Sequence, residues 1–386
     1  MGRKNLIALI IVQAFVLAIL LGATLFLLSE NRSNDYLLQE EPVADFTEAP
    51  TEAPTEAPTE EPTEAPTEAP TEAPTEPQPE IYTLTFAGDC TLGCSAKNVN
   101  ATTAFPKTVG EDYAYPFANV LTYFAEDDYS FVNLEGVLGS EGKARNKKYV
   151  FRGSAEYTKI LTENSVEAVN LANNHAKDYG TDGYKETKRL LEEAGVSYVE
   201  NKDDLIVTTQ SGLIIGIYAA DSSQGEIEIK EITEDIAALK STGVDLIVCA
   251  FHWGYENTFQ SNDYQVKLGH AAIDAGADII WGHHPHVLQP IEEYNGGVIF
   301  YSLGNFTFGG NAKPKDFDTA LVQQEIIREP DGTIHLGDRN LIPCSVSSIG
   351  GLNNYQPTPY AVGSKEYDRV IRKLDGSYNG KNLKIG

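Results

Sequence analysis

Short polar segments end apolar runs at five places in this chain, and they limit its fold more than any other feature. In chain order they are Phe-Ala-Gly-Asp (86–89), Val-Asn-Leu-Glu (132–135), Asn-Leu-Ala-Asn-Asn-His (170–175), Phe-His-Trp-Gly (251–254) and Gly-His-His-Pro-His (282–286). Apolar runs separated by stretches with helical spacing are typical of α/β architecture. Because the carboxyl ends of strands form a common crevice in open α/β sheets, we expect these segments to converge.

Strands and helices are predicted to alternate through residues 81–386. The predicted strands cover 81–87, 129–134, 166–171, 196–199, 213–220, 244–251, 278–281 and 298–303, and the predicted helices cover 116–125, 155–163, 183–194, 230–241, 261–275 and a last segment ending near Gly376. Ser154 and Ser364 are predicted helix N-caps. The sequence therefore predicts one α/β domain over 81–386.

A nearly continuous apolar run over residues 6–28 precedes this domain. As a helix it is long enough to cross about 30 Å of hydrocarbon. Arg3 and Lys4 lie before it and acidic residues follow, so residues 1–5 should remain cytoplasmic. The sequence predicts a single-pass anchor in the cell membrane with the catalytic domain extracellular. A cleaved signal peptide is the alternative, although no small-x-small cleavage site stands clearly at the end of the run.

Residues 29–80 form an acidic linker that repeats Thr-Glu-Ala-Pro from position 47. A proline at every fourth position prevents regular helix or sheet, so a disordered, extended stalk is expected. The linker holds about half of the chain's net charge of −27, and the domain that follows is acidic as well. Such a domain disfavours nucleic acid and anionic membrane surfaces as partners.

The four cysteines are too few for a disulfide-based fold. Cys90 and Cys249 adjoin predicted strands, so buried thiols are expected at these positions. A single disulfide is the alternative in an extracytoplasmic domain. Because the chain has no Cys-x-x-Cys pair, its cysteines do not indicate a zinc finger.

The segment Gly-His-His-Pro-His indicates a metal site, since three imidazoles in four residues are costly to cluster without a cation. The other polar segments offer carboxylate oxygens from Asp89 and Glu135, an amide from Asn174 and a further imidazole from His252. Together these are donors for a pair of divalent cations. Taken singly, each has an ordinary alternative, such as a turn aspartate or a half-buried histidine.

The ordered motifs Gly-Asp, Asn-Leu-Glu, Asn-Asn-His, His-Trp-Gly, His-Pro-His and Ser-Leu-Gly-Asn-Phe (302–306) resemble the CapA-type poly-γ-glutamate capsule-synthesis family. That family belongs among the calcineurin-like metallophosphoesterases. The resemblance covers nearly all of 81–355 and implies an α/β/β/α sandwich. It also implies two divalent metal ions drawn from Mn, Zn, Fe and Mg.

Site roles follow from the same resemblance, residue by residue. The implied metal ligands are Asp89 and His286 for the first ion, Asn174, His252 and His284 for the second, and Glu135 as the bridge between them. His175 matches the catalytic proton donor, and Asp178 could orient it. We predict substrate contacts for the amide of Asn305 and the guanidinium of Arg152. His283 is left as a neighbour.

Two positions depart from the superfamily pattern. The first strand usually carries Asp-x-His, but this chain has Asp89-Cys90-Thr91, so the first ion lacks an imidazole from that strand. The bridging residue is Glu135 where an aspartate is usual, and its side chain is one methylene longer. Phosphatase activity therefore does not follow from the motifs alone.

The leading hypothesis is an anchored metal-dependent hydrolase that acts in the synthesis, attachment or release of poly-γ-glutamate or another anionic envelope polymer. Capsule ligase or export membrane proteins would be its partners. One alternative is a general metal-dependent phosphoesterase that acts on envelope phosphates or nucleotides. Another is a non-catalytic scaffold of a capsule export complex, which the missing first-strand histidine favours.

Overall fold

The structure is a computed structural model that describes residues 77–384. The predicted anchor over 6–28 and most of the predicted linker lie outside these residues. Within 77–384, no helix combines the length and apolar character needed to cross a bilayer.

The described strands are β1 Glu80–Thr91, β2 Cys94–Ser95, β3 Tyr129–Leu134, β4 Val137–Leu138, β5 Phe151–Gly153, β6 Ala168–Asn170, β7 Ser197–Val199, β8 Asp203–Thr208, β9 Ile214–Asp221, β10 Leu246–His252, β11 Ile279–His283, β12 Ile291–Tyr294, β13 Gly297–Phe300, β14 Asn305–Phe308, β15 Asp318–Arg328, β16 Ile334–Ser345 and β17 Thr358–Pro359. The α-helices are α1 Phe105–Val109, α2 Leu121–Ala125, α3 Thr158–Thr162, α4 Gly180–Ala194, α5 Ile229–Lys240, α6 Asp263–Asp274 and α7 Lys365–Leu374. Short 3₁₀ turns cover Tyr115–Phe117 and Ala155–Tyr157.

Two large mixed sheets contain most of these strands. The first has the order β17-β16-β15-β1-β3-β6-β7, with β14 also paired to β1, and the second has the order β12-β13-β11-β10-β9-β8. Strands β1, β3, β6 and β7 run parallel, as do β9, β10, β11 and β13. In each sheet the parallel strands therefore end along one edge. A small third sheet, β2-β5-β4, lies off this framework.

The two large sheets pack face to face through aromatic side chains. Phe86 stacks on Phe131 with ring centroids 4.9 Å apart and contacts Trp281 and Phe300 of the second sheet. The indole Nε1 of Trp281 also donates to the carbonyl of Ala87 across the interface, at 2.8 Å. Burying each of these rings contributes about 1.5–3 kcal/mol.

Helices cover the outer faces of both sheets. Buried side chains of α1 to α4 pack on the first sheet, and those of α5 and α6 pack on the second. The layers are thus helix, sheet, sheet and helix, and the predicted α/β class is confirmed. The four cysteines are free and buried, as the buried-thiol interpretation expected.

Strand β1 continues four residues beyond its predicted end, so Asp89 lies within the strand and not after it. Asp89 pairs in register with Asn133 of β3 and Asn305 of β14. Glycine at position 88 allows β1 to pack closely against the backbone of Gly304, because a Cβ at Gly88 would lie 2.1 Å from the carbonyl oxygen of Gly304. The Asp89 amide donates to that same carbonyl at 2.9 Å.

Two predicted helices are each divided into a 3₁₀ turn and a short α-helix, so their bounds differ from the prediction. The helix predicted over 116–125 is divided into the turn Tyr115–Phe117 and α2. The helix predicted over 155–163 begins as a 3₁₀ turn, although Ser154 caps it as expected by accepting from the Glu156 amide at 3.3 Å. The long strands β15 and β16 were not among the predicted strands, and β15 pairs antiparallel with β1.

Candidate metal centre

Carboxylates, amides and imidazoles from both large sheets meet at the shared carboxyl edge. The first sheet supplies Asp89 from β1, Glu135 after β3 and Asn174 after β6. The second supplies His252 at the end of β10 and His284 and His286 after β11. His252 and His283 are register partners in neighbouring strands, which fixes the spacing of the two histidine segments.

Asp89 is fully buried and is held on both carboxyl oxygens. Its Oδ1 accepts from Asn133 Nδ2 at 2.9 Å and lies 3.0 Å from His283 Nδ1, and its Oδ2 lies 3.0 Å from His286 Nδ1. Burial raises the pKa of Asp89, but the contacts with His283 and His286 outweigh it and hold the pKa well below its usual range. The carboxylate is therefore ionised at neutral pH.

Glu135 is fully buried, and neither of its carboxyl oxygens has a hydrogen-bond partner in the described part of the chain. Its Oε1 lies 3.8 Å from His175 Nε2, 3.9 Å from His252 Nε2 and 3.8 Å from His286 Nε2. Burial raises the pKa of Glu135 well above its usual range. Because an unpartnered buried carboxylate is costly, this geometry fits a group that contacts cations on both sides.

Asn174, His252 and His284 form a second group of donors. Asn174 Oδ1 lies 3.1 Å from His252 Nε2, and the rings of His252 and His284 are 4.9 Å apart between centroids. Within residues 77–384, Nδ1 of both histidines is buried without a partner. Burial lowers the pKa of His284 to about 3 and that of His252 well below its usual range. Both imidazoles are thus neutral, which is the form that binds metals.

His286 lies between the two buried carboxylates. Burial lowers its pKa, but the charges of Glu135 and Asp89 outweigh this and raise the pKa to about 10. Positive charge is thus favoured at this point of the cluster. His284 and His286 also adopt left-handed backbone conformations, with φ of 94° and 56°. Such conformations cost about 1–3 kcal/mol outside glycine and occur preferentially at functional sites.

The donor spacing fits divalent cations. Adjacent ligands of an octahedral ion with bonds of about 2.1 Å lie about 3.0 Å apart. The pairs Asp89 Oδ2–His286 Nδ1 and Asn174 Oδ1–His252 Nε2 have this separation, at 3.0 and 3.1 Å. Donor atoms of Asp89, Glu135 and His286 also lie within 4.8 Å of one another. The residues present therefore suit one ion at each group, with Glu135 between them.

Asn305, predicted as a substrate contact, lies beside the first group of donors. Its Oδ1 is 3.0 Å from His286 Nδ1, and its Nδ2 donates to the His286 carbonyl at 3.2 Å. Thr91, two residues after Asp89, donates its hydroxyl to the Glu135 carbonyl at 2.8 Å. An amide oxygen from β14 thus lies beside His286 in the first group of donors.

His175 and Asp178 form a close pair at the edge of the centre. His175 Nδ1 lies 2.6 Å from Asp178 Oδ2, which leaves Nε2 directed towards Glu135. Asp178 is itself fixed, since it accepts from the Phe151 amide at 2.7 Å and from Lys147 Nζ at 2.9 Å. Burial lowers the pKa of His175, and Asp178 opposes that change.

Arg152, the second predicted substrate contact, is bound to a neighbouring loop. Its guanidinium donates to the carbonyl of Ser140 at 2.9 Å and to that of Glu141, and it lies 3.5 Å from the ring centroid of Tyr179. In the described part of the chain, these are its polar and ring contacts. A role of Arg152 in substrate binding stays a prediction.

Glu256 is a candidate ligand that the sequence interpretation missed. Its carboxylate lies within 4.8 Å of donor atoms of His284 and His286. Gly254, with φ of 79°, lies between Glu256 and the end of β10. Its position four residues after His252 could have indicated Glu256 as a candidate. The conformation of the loop that brings it to the histidines could not be predicted from the spacing of these residues in the sequence. His283, left as a neighbour, contacts Asp89 through Nδ1.

Comparison with known proteins gives consistent matches. The family model described as bacterial capsule synthesis protein PGA_cap matches residues 83–310. The capsule biosynthesis protein CapA of Bacillus anthracis is 32% identical over 76% of this chain and 73% of that protein. The PGA biosynthesis protein CapA of Bacillus subtilis is 30% identical over 78% of this chain and 79% of that protein.

Solved structures show only a distant likeness. The NAD nucleotidase of Haemophilus influenzae is 12% identical and has a TM-score of 0.36 over 78% of this chain and 63% of that chain. The family match covers more than half of the chain, and the alignments with the two Bacillus proteins cover about three quarters of it. The chain belongs to the PGA_cap family of bacterial capsule synthesis proteins.

Proposed function

We propose that this protein is a metal-dependent hydrolase that acts on an anionic capsule polymer, with a glutamate polymer as its substrate. The observation that carries the proposal is the unpartnered, buried carboxylate of Glu135, which lies between two groups of donors at the spacing of cation ligands. The names of the Bacillus relatives, which refer to capsule and PGA biosynthesis, support the choice of polymer.

The first ion would be held by Asp89, His286 and Glu135, with Asn305 adjacent, and the second by Asn174, His252, His284 and Glu135. Divalent ions at these positions would supply a Lewis acid that activates water and stabilises negative charge on an acyl or phosphoryl oxygen. The protein contributes a dry, fixed arrangement, since Asp89, Glu135 and His252 are fully buried.

His175 provides the proton for the leaving group from Nε2. Asp178 accepts the hydrogen bond of Nδ1, which fixes the ring orientation and opposes the lowering of the His175 pKa by burial. Lys147 and the Phe151 amide hold Asp178 in turn. The proton donor is therefore positioned by two successive layers of hydrogen bonds.

The apolar run over 6–28 anchors the protein in the cell membrane, and the acidic linker carries the domain outwards. The basic residues Arg3 and Lys4 before the run support this orientation. A domain placed there would meet a polymer as membrane-bound ligase or export proteins deliver it.

A non-catalytic scaffold is the second candidate. It is favoured by Thr91, whose hydroxyl is engaged with the Glu135 carbonyl at the position where active superfamily members commonly present an imidazole. In that case the domain would retain its fold and bind metal without turnover.

The two candidates differ in turnover. Purified protein supplied with Mn²⁺ or Zn²⁺ would be incubated with a glutamate polymer and, separately, with p-nitrophenyl phosphate. Metal-dependent shortening of the glutamate polymer, abolished by His252→Ala, supports the hydrolase. Turnover of the phosphate ester alone would favour a general phosphoesterase. Metal binding without turnover of either compound would favour the scaffold.

A further inference from the structure

A basic loop lies next to the metal centre of this acidic domain. Residues 143–148, Lys-Ala-Arg-Asn-Lys-Lys, contain four bases and no acid. Lys143 and Arg145 are exposed. A local concentration of positive charge on an acidic domain attracts anionic ligands to one place, while the rest of the surface repels them.

This basic loop, residues 143–148, is hydrogen-bonded to residues around His175, the proposed proton donor. The Arg145 amide donates to the Asp178 carbonyl at 2.8 Å, and Lys147 Nζ donates to the Asn174 carbonyl at 2.8 Å. Before the loop, Gly142 packs so closely that a Cβ there would lie 2.0 Å from the Tyr179 carbonyl oxygen. The loop therefore has a defined position beside the centre.

A cavity of about 230 Å³ adjoins the loop and shares Asn174 with the metal centre. Its charged lining residues are Arg145, Lys177, Asp221 and Glu200. The cavity is large enough to hold several water molecules or the end of a polymer.

The charged groups of the cavity are unequally engaged. Glu200 is bound by Lys188 Nζ at 2.5 Å and by the Tyr184 hydroxyl at 2.9 Å. Within residues 77–384, the guanidinium of Arg145 and Nζ of Lys177 form no hydrogen bond or ion pair, although Lys177 Nζ lies 5.0 Å from the ring centroid of Tyr184. Asp221 accepts from Ser223 through Oδ1. In the same residues its Oδ2 accepts no hydrogen bond. Two cations and one carboxylate oxygen are thus available to a ligand.

We propose that the basic loop and this cavity bind the amino end of a glutamate polymer, with its carboxylates at Arg145 and Lys177 and its ammonium group at Asp221. This inference deepens the proposed function and rests on it for the choice of polymer. A phosphate polymer would also be attracted by the loop, but it has no ammonium group to offset the carboxylate of Asp221.

Fluorescence anisotropy tests the proposal with the full-length protein and a glutamate oligomer labelled at its carboxyl end. The titration is made at low salt with EDTA, so that ions at the metal centre contribute nothing. We expect Arg145→Ala with Lys177→Ala to weaken binding about tenfold, since each exposed ion pair accounts for up to about fivefold. Lys365→Ala with Arg372→Ala is the matched control, because these bases line a separate cavity on α7, and it should bind as the wild type does.

Acetylation of the oligomer's amino end tests the ammonium contact. It should weaken binding to the wild type several-fold but leave binding to Asp221→Asn unchanged. Equal binding of the wild type and the Arg145/Lys177 double variant would overturn the proposal, as would stronger binding of inorganic polyphosphate than of the glutamate oligomer. Because the assay excludes metal, a protein that binds the oligomer but never hydrolyses it would count against the proposed hydrolase alone.

Discussion

Asn174 Oδ1 lies 3.1 Å from His252 Nε2, although 78 positions separate the two residues in the chain. Asn174 follows a strand of the first sheet and His252 ends a strand of the second. Asp89 and His286 make a similar connection between the sheets at 3.0 Å. A cation at either group would therefore link the two halves of the sandwich, so metal binding and folding stability should be coupled.

Replacing His252 should remove the part of the metal-dependent stabilisation that comes from the second group of donors. At a metal concentration 100-fold above Kd, binding stabilises the folded state by about 2.7 kcal/mol. We expect Mn²⁺ or Zn²⁺ to raise the Tm of the wild type and to raise that of His252→Ala by a smaller amount, because the first group of donors is intact in this variant. His270→Ala, which removes a histidine of α6 that contacts Glu292 of β12, is the control and should respond to metal as the wild type does. An equal metal response of His252→Ala would contradict the assignment.

Asn305 should contribute to metal affinity at the first group. Its Oδ1 lies 3.0 Å from His286 Nδ1, within the first group of donors. Asn305→Ala should weaken binding of one of two ions about tenfold, an effect typical of groups at or near a metal site, as measured by isothermal titration calorimetry. Asn305→Asp should retain the affinity for this ion, because a carboxylate oxygen replaces the amide oxygen. If Asn305→Ala leaves both affinities unchanged, the earlier assignment of Asn305 to substrate binding becomes the better one.

His175→Ala should reduce turnover without affecting metal affinity. A positioned proton donor typically contributes about 10²–10⁴-fold to the rate, and kcat should fall by a factor in that range. Asp178→Asn should alter the pH profile of kcat, since the amide cannot stabilise the imidazolium as the carboxylate does. Calorimetric metal titration of both variants separates loss of chemistry from loss of the site. Unchanged kcat in His175→Ala would exclude it as the proton donor.

Ser130, near the start of β3, donates hydrogen bonds to two carboxylates, and these should make the folding stability depend on pH. Its amide donates to Glu167 Oε2 at 2.8 Å and its hydroxyl to Asp127 Oδ2 at 2.7 Å. Burial raises the pKa of Glu167 from 4.5 to about 7. The folded state therefore holds this proton more tightly than the unfolded state does. Its contribution to stability is present at low pH and is lost as pH rises from about 4.5 to 7.

Glu167→Gln should accordingly be more stable than the wild type at pH 8. The expected gain in unfolding free energy is about 1–2 kcal/mol, and it should vanish towards pH 4. Urea unfolding at several pH values measures it. Glu163→Gln, at an exposed position, should show no such trend. A gain that is independent of pH would mean that the carboxyl group does not titrate as described.

Local sequence patterns predicted the parts of the fold that depend on neighbouring residues. The strand predicted over 129–134 has the bounds Tyr129–Leu134, and the helix predicted over 183–194 lies within Gly180–Ala194. Both have regular hydrophobic spacing and clear ends, with Gly195 in the left-handed conformation closing the helix. The polar segments also converge, because parallel strands bring their carboxyl ends to one edge.

Features set by long-range pairing could not be predicted in this way. Asn305 reaches Asp89 because β14 pairs parallel with β1, a register that neither segment encodes alone. Glu256 lies near His284 because of the conformation of the loop after β10, which the spacing of residues in the sequence does not indicate. The guanidinium of Arg152 binds backbone carbonyls of a neighbouring loop. In each case the deciding contact lies far away in the chain or involves backbone atoms.

Anomalous diffraction from crystals soaked in Mn²⁺ would show directly whether two cations share Glu135. We expect two peaks on either side of the Glu135 carboxylate, one in contact with Asp89 and His286 and the other with Asn174 and His252. Absence of both peaks under saturating Mn²⁺, or peaks that do not contact Glu135, would contradict it.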